Sequence, residues 1–269
     1  MKTELIAEIG WNHMGDMELA SEMIKAAKDS GSSFAKFQSW KVDRLKDGEW
    51  DNDGRREIYE NAELSKQKHL FLIEECRKNK IEFLSSAFAV DDAKLLYSLN
   101  CKKIKIPSFE VNNFELLEYC KNNFSTIFIS TGTANKKEIE NLYKFFNNWQ
   151  GNLIVMHCVS AYPCDSKTIN LPRINHLRDY FENVGFSDHT QGIYSSISSI
   201  SLKPKAIEKH FTTNHDLPGR DNKFAILPEE MKELSKFIDI FENSMHDHGI
   251  DFQDIEIQSR EEYRGRFNR

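Results

Sequence analysis

Two hydrophobic rhythms alternate along the chain. Short β-prone runs recur at LIAEIG (5–10), SFAKFQSW (33–40), EFLSSAF (82–88), KKIKIPS (102–108), STIFIST (125–131), NLIVMHCVS (152–160), NVGFSDHT (183–190) and KAIEKHFT (205–212). Between them apolar residues return every three or four positions, the period of a helix face. In 18–31 the stripe Leu19, Met23, Ile24 and Ala27 stops at Gly31, a C-cap signal. Further helices are predicted over 65–80, 90–100, 113–123, 136–149, 170–181, 193–202 and 228–245. Ser65 marks one start, and Pro228 followed by Glu229 and Glu230 marks another. Eight strands, each followed by a helix, predict an α/β fold, a (β/α)8 TIM barrel forming a single domain over 1–250. An open doubly wound sheet is the competing reading, but no GxGxxG or GxxxxGKS loop follows any strand. Residues 41–64 read as one long loop, of a length typical of lids and binding loops. Residues 251–269 read as a charged tail that leaves the barrel, carrying Arg260, Arg264, Arg266 and Arg269.

Composition narrows the class. The 269 residues are 39% hydrophobic and 29% charged, a globular balance, in a chain long enough to bury its own core. Lys plus Arg at 36 against Asp plus Glu at 42 leaves a net charge of −6, which argues against a nucleic-acid binder. The start, MKTELIAEIG, lacks the apolar core of a signal peptide, and no apolar run reaches the ~18 residues of a membrane span. Five widely spaced cysteines without a CxxC suit reduced thiols. The expectation is a soluble, cytoplasmic protein.

In such a barrel chemistry gathers where the strands end and the following loops begin. Glu8 ends the first strand, with Asn12 and His13 just beyond. Lys36 and Gln38 lie two apart on one face of the second. The next three end in Ser85-Ser86, in Lys105, Ser108 and Glu110, and in Ser130-Thr131-Gly132. The sixth carries His157, Ser160 and Tyr162, the seventh Ser187-Asp188-His189, and the eighth has Glu208 and His210 on one face with Lys209 on the other. A structural barrel would fill these layers with Val, Ile and Leu, because unpaired buried charge is costly. Two lysines among Ser86, Ser108, Ser130, Thr131 and Ser187 suit a compact, multiply charged anion such as a phosphate ester. His189 and His210, on neighbouring strands, can converge on one divalent metal with open positions. By type alone, two imidazoles favour Mn²⁺, Fe²⁺, Co²⁺ or Zn²⁺ over Mg²⁺. His246 and His248 read as a solvated helix end.

The runs AEIGWNHMGD, FAKFQS, KIKIPSFE, ISTGT, HCVSAYP, FSDHTQGI and IEKHFT with PGRDNKFA resemble the sialic acid synthase family, in order from about residue 5 to 245. That family makes N-acetylneuraminate, legionaminate, pseudaminate and related nonulosonates. The resemblance implies a transferase, often a homodimer, that condenses phosphoenolpyruvate with an open-chain aldose and releases phosphate. It would place Lys36, Ser86, Lys105, Ser108, Ser130, Ser160 and Ser187 around phosphoenolpyruvate. It would place Glu8, Glu110, Tyr162 and Asp221 at the acceptor sugar, and His189 and His210 on the metal; Gln38 and Arg220 are further candidates for the acceptor contact. Mn²⁺ is the expected ion, with Mg²⁺ or Co²⁺ as substitutes. Glu8, Glu110, Lys36 and Lys105 are the catalytic candidates, with Glu8 or Glu110 as general acid or base.

The chain departs from the family pattern in places. STPF reads SSAF with Ala87, Phe109 stands where the family has glycine and should reshape the acceptor pocket, and Arg220 adds a cation in Pro218-Gly219-Arg220-Asp221. The family's C-terminal antifreeze-like (SAF) domain, whose arginine reaches the partner subunit's acceptor, would begin about where this sequence stops. Three readings stay open: a domain absent by nature, one supplied on a separate chain, or one cut away. Arg220 or the tail arginines are then expected to take over the acceptor contact. A metal-dependent sugar isomerase or hydrolase, and a non-catalytic sugar- or phosphate-binding relative, are the competing functions. The second would be expected to lose Lys36, Lys105, His189 or His210, and all four are present.

Overall fold

The structure is a computed structural model describing residues 3–49 and 52–267. Eight strands close in sequence order: β1 (Glu4–Gly10), β2 (Phe34–Ser39), β3 (Glu82–Ala87), β4 (Lys103–Ile106), β5 (Thr126–Ser130), β6 (Asn152–Cys158), β7 (Asn183–Asp188) and β8 (Ala206–His210). Every neighbouring pair is parallel, and β8 returns to β1 with Glu8 opposite His210. The outer ring comprises α1 (Met17–Asp29), α2 (Arg55–Ala62), α3 (Lys66–Lys78), α4 (Val90–Ser98), α5 (Phe114–Asn123), α6 (Lys136–Phe146), α7 (Arg173–Arg178), α8 (Tyr194–Ile200) and α9 (Pro228–Ser244). This is the (β/α)8 barrel that the two rhythms predicted. Its helices start where the caps indicated: Ser65 accepts the Lys68 amide, and Glu230 accepts the Leu227 amide at the Pro228 start.

Period-2 alternation splits the strands into two faces. Inside the barrel, Ile6, Phe34, Leu84, Phe128, Ile154, Met156 and Ala206 form an apolar floor. Outside, Leu5, Ala7, Ile9, Ala35 and Phe37 pack against α1 and α3, and Ile104, Ile106, Ile127 and Ile129 against α4, α5 and α6. The outer face also buries polar side chains in closed networks. Asp188 accepts from the Thr190 amide and the Ser196 hydroxyl and pairs with Lys209 at 3.2 Å. Ser39 bridges His69 and Ser85.

One expectation is corrected. The stretch 41–64 is not a single loop: a 3₁₀ turn at Val42–Arg44 and the helix α2 interrupt it. The α2 sequence RREIYENA buries only Ala62, so it shows no apolar stripe to read. Gly15 lets it dock, because a Cβ there would lie 1.9 Å from the Asn61 carbonyl oxygen, at a φ of +87°. Beyond α9 the chain forms an exposed 3₁₀ turn and a short helix, α10 (Ile257–Tyr263), that bury no residue. His246 and His248 lie exposed just past α9, and Arg269 lies outside the described residues. Among the described residues no helix is long and apolar enough to cross a membrane.

Two buried histidines make the fold sensitive to acid. His157 points outward from β6, stacks on Phe186 and bonds the Ile169 carbonyl, while His13 accepts the Gly15 amide. Burial pushes both down from 6.5 to about 4. The unfolded chain therefore takes up these protons near pH 6.5 and the folded chain only near pH 4, so acidification through that window favours unfolding. Thermal-unfolding midpoints should hold above that window and fall within it, and His157→Gln should flatten the fall. A variant curve as steep as the parent's would remove His157 as a cause.

Candidate active site

Above the apolar floor the inward positions become polar, and a cavity of about 260 Å³ opens at the C-terminal ends of the strands. Its base is a layer of two lysines and two glutamates, all buried. Strand register builds it: Glu8 faces Lys36 across β1 and β2, Ser86 faces Lys105 across β3 and β4, and Ser187 faces Glu208 across β7 and β8. Lys36 Nζ lies 2.7 Å from Glu8, 3.6 Å from Glu208 and 3.1 Å from Ser86 Oγ. Lys105 Nζ donates to both Glu208 oxygens at 3.0 and 2.9 Å, and Ser187 Oγ donates to Glu208 at 3.1 Å. Gln38 Nε2 donates to Glu8 at 2.7 Å.

The electrostatics follow from who faces whom. Burial would push the Glu208 carboxyl up, but the Lys105 and Lys36 ammonium groups outweigh it and hold it at about 2. Burial would lower Lys36, yet Glu208 and Glu8 overcome that and raise it. Burial raises Glu8 against the pull of Lys36, and burial lowers Lys105 against the pull of Glu208. Glu208 is thus the fixed charge of the layer, and Glu8 and Lys105 are its protonically softer members.

Beside the layer, the ends of β4, β5 and β6 bring Ser108, Ser130 and Ser160 together. Gly132 donates its amide to Ser108 Oγ at 3.1 Å, and a Cβ at Gly132 would lie 2.2 Å from Ser160 Oγ and 2.7 Å from Ser108 Oγ. The Ser130 and Ser160 hydroxyls are buried there without a hydrogen-bond partner. Beyond Cys158, the His189 and His210 rings lie 5.4 Å apart between centroids, with the Tyr162 ring 4.2 Å from His189. The Val159 carbonyl engages His189 Nδ1, and His210 Nδ1 is buried without a hydrogen bond, 3.6 Å from Asp221. Burial lifts Asp221 to about 6. Among the described residues no group of three or more His, Cys, Asp or Glu is placed to hold a metal ion.

Glu8, Lys36, Gln38, Ser86, Lys105, Ser108, Ser130, Tyr162, Ser187, His189, His210, Arg220 and Asp221 line this one cavity. Ser160 adjoins it through Ser108. Glu110 does not: it lines an adjoining chamber and accepts from Asn113 Nδ2 at 2.8 Å. Thr131 spends its hydroxyl on the Met156 carbonyl, and Ser85 and Asp188 face the outer helices, so these three leave the expected mouth. Glu208, placed by alternation on one face with His210, was given no role among the expected site residues, and Cys158 was not named; Cys158, 3.5 Å from Ser108 Oγ, needed the same parity count on β6.

Comparison with known proteins bears on this arrangement. Residues 23–249 match the NeuB family. The chain is 36% identical over 251 residues to the N,N'-diacetyllegionaminic acid synthase of Legionella pneumophila, across 87% of this chain and 70% of that protein. It is 35% identical over 261 residues to the Campylobacter jejuni enzyme of the same name, across 91% and 78%. Among solved structures, N-acetylneuraminic acid synthetase from Leptospira borgpetersenii, in complex with citrate, superposes with a TM-score of 0.85 at 29% identity, over 98% of this chain and 93% of that one.

The charge layer yields a stability test. Glu208→Gln strips the shared counter-charge from two buried ammonium groups and should cost on the order of 3–5 kcal/mol in urea unfolding. Adding Lys105→Met to it removes one orphaned charge and should recover part of that loss. A double variant no more stable than the single one would show that the two groups are not coupled.

Proposed function

The chain belongs to the NeuB family, and from that premise we propose that it is a phosphoenolpyruvate-dependent synthase forming a 2-keto-3-deoxy sugar acid of the nonulosonate type from an N-acylated aldose. One observation carries the reading: the two buried lysines adjoin a cradle of Ser108, Ser130 and Ser160 in which two hydroxyls have no partner within the protein. Such unspent donors beside buried ammonium groups fit a small ligand with two anionic ends. The citrate in the Leptospira relative is likewise a compact polycarboxylate, held by a protein of the same fold.

The residues present fit a divalent ion at His189 and His210. The buried His210 Nδ1 makes no hydrogen bond, and the Val159 carbonyl fixes His189 through Nδ1. Mn²⁺ suits two imidazoles with oxygen ligands, with Co²⁺ or Mg²⁺ as substitutes. When bound, such an ion would act as a Lewis acid on the acceptor's aldehyde oxygen.

The protein's own groups would do the rest. Lys36, Lys105, Ser86, Ser187 and the serine cradle bind the carboxylate and phosphate of phosphoenolpyruvate and aim its C3 at the aldehyde carbon. The new C–C bond leaves positive charge at C2, which the Glu208 and Glu8 carboxylates of the layer would stabilise electrostatically. Water adds at C2, giving up one proton, and the tetrahedral centre then expels phosphate with cleavage of the C2–O bond, leaving the ketone. The aldehyde oxygen takes up a proton to become a hydroxyl. Glu8 lies in the mouth and is raised by burial, so of the two carboxylates considered it is better placed than Glu110 for proton transfer. Asp221, lifted to about 6 beside His210, is a second candidate. Tyr162 and the exposed Arg220 would hold the acceptor at the rim.

Phosphate release from phosphoenolpyruvate tests the reading. It should require an N-acylated aldose, stop on chelation and resume with Mn²⁺. Lys36→Met and Lys105→Met should each lower it at least about a hundredfold. Arg220→Ala should raise the acceptor KM with little change in the KM for phosphoenolpyruvate. Failure to bind phosphoenolpyruvate would end the proposal, and an unchanged acceptor KM in the Arg220 variant would remove that residue from the acceptor contact.

A further inference from the structure

Behind the barrel wall, on the side turned away from the cavity, lies a buried ion pair that the proposed chemistry does not use. Asp188 is the last residue of β7 and Lys209 the last but one of β8, and strand register sets them opposite each other. Both side chains are almost wholly buried, and Lys209 Nζ lies 3.2 Å from Asp188. Each directly precedes one of the two imidazoles, so the outward pair alternates with the inward residues His189 and His210.

The ladder between β7 and β8 ends at this row, and beyond it the two strand ends take different backbone partners. The His189 carbonyl accepts the Cys164 amide at 2.8 Å, whereas the His210 carbonyl accepts the Ile226 amide at 2.8 Å. The Lys209 ammonium spans the parting. It pairs with Asp188 and donates to the Thr190 carbonyl, and so holds the chain on both sides of His189. Asp188 is fixed in turn by the Thr190 amide at 2.8 Å and by the Ser196 hydroxyl of α8 at 2.6 Å. Stability alone does not call for charges here, because well-packed apolar side chains of similar volume often serve a buried wall as well or better. What an ion pair adds is direction: an ammonium group between a carboxylate and a carbonyl admits fewer arrangements of the strand ends than an apolar contact does.

We propose that Lys209 and Asp188 are positioning residues that set the separation and aim of His189 and His210, and with them the affinity of the imidazole pair for a divalent ion. The inference rests on the reading that these imidazoles hold such an ion, and deepens it by placing control of metal affinity behind the barrel wall. Neither residue lines the cavity; each acts through the histidine that follows it in the chain.

The test is Mn²⁺ binding to the metal-free protein, read from loss of the free-ion signal in electron paramagnetic resonance, with thermal unfolding measured beside it. Lys209→Met should weaken Mn²⁺ binding about tenfold or more, the usual consequence of losing a residue that orients a metal ligand. A charge acting at a distance would do the opposite, because removing a cation favours the binding of another. The double variant Asp188→Asn with Lys209→Met leaves the net charge unchanged and strands no ion. It should regain most of the parent's unfolding midpoint yet keep the loss of Mn²⁺ affinity. His69→Gln, which cuts another buried network behind β2 and β3, should lower the midpoint while Mn²⁺ affinity stays within about twofold. A folded double variant that binds Mn²⁺ as tightly as the parent, or an equal loss in His69→Gln, would overturn the positioning role. So would a double variant that does not fold, since the pair would then be a requirement of the fold itself. A parent protein that binds no Mn²⁺ would overturn the metal reading and the inference with it. The expected weakening in a protein that releases no phosphate from phosphoenolpyruvate would support the positioning role and count against the synthase reading alone.

Discussion

Four ionisable side chains inside a closed barrel have to be neutralised where they stand, and most of the architecture can be understood from that requirement. Lys36, Lys105, Glu8 and Glu208 are buried over an apolar floor that offers them nothing. An isolated charge there would be prohibitively costly, so each must find its opposite on a neighbouring strand or across the barrel interior. Parallel register supplies this by setting Glu8 beside Lys36 and Ser187 beside Glu208, and Glu208 closes the layer by reaching both lysines. The barrel satisfies its backbone through its own ladders, which leaves every inward side-chain donor for the layer or for a ligand.

On the proposed function, the same pairing would preorganise the site: each ammonium group is held in position by a carboxylate, so little reorganisation would be needed on binding an anion. The orphan hydroxyls of Ser130 and Ser160 mark the part of the site that the protein does not complete by itself. Glu208, pinned at about 2, keeps its charge throughout the physiological range, whereas Asp221, near 6, does not. One mouth therefore combines a permanent electrostatic base with a rim whose protonation can change.

Much of this was legible in the sequence because the two periodicities differ so plainly. Alternation on β2 and β8 placed Lys36 with Gln38 and Glu208 with His210 on inward faces. The motifs carried the family, and the ends of β7 and β8 had already singled out the imidazole pair. What was not legible depends on where alternation ends. Glu110 follows β4 in a 3₁₀ turn, so its direction could not be counted from strand parity, and it faces the side chamber. Thr131 lies one residue past β5 and turns back to a carbonyl. Asp188 follows parity strictly and therefore points away from its neighbours Ser187 and His189, to close a pair with Lys209 behind the barrel wall. Helix α2 escaped because it covers the mouth rather than the core and has no stripe of its own.

That helix belongs to a segment tied back at named points: Asn61 rests on Gly15, Glu63 ties to Lys41 and Val42, and Arg44 reaches Asp92. The stretch between β2 and α3 supplies Tyr59 to the mouth while contributing none of the four charged residues of the layer beneath it. Gly15 is the seam between the two, because any side chain at this position would have to displace the helix that carries Tyr59.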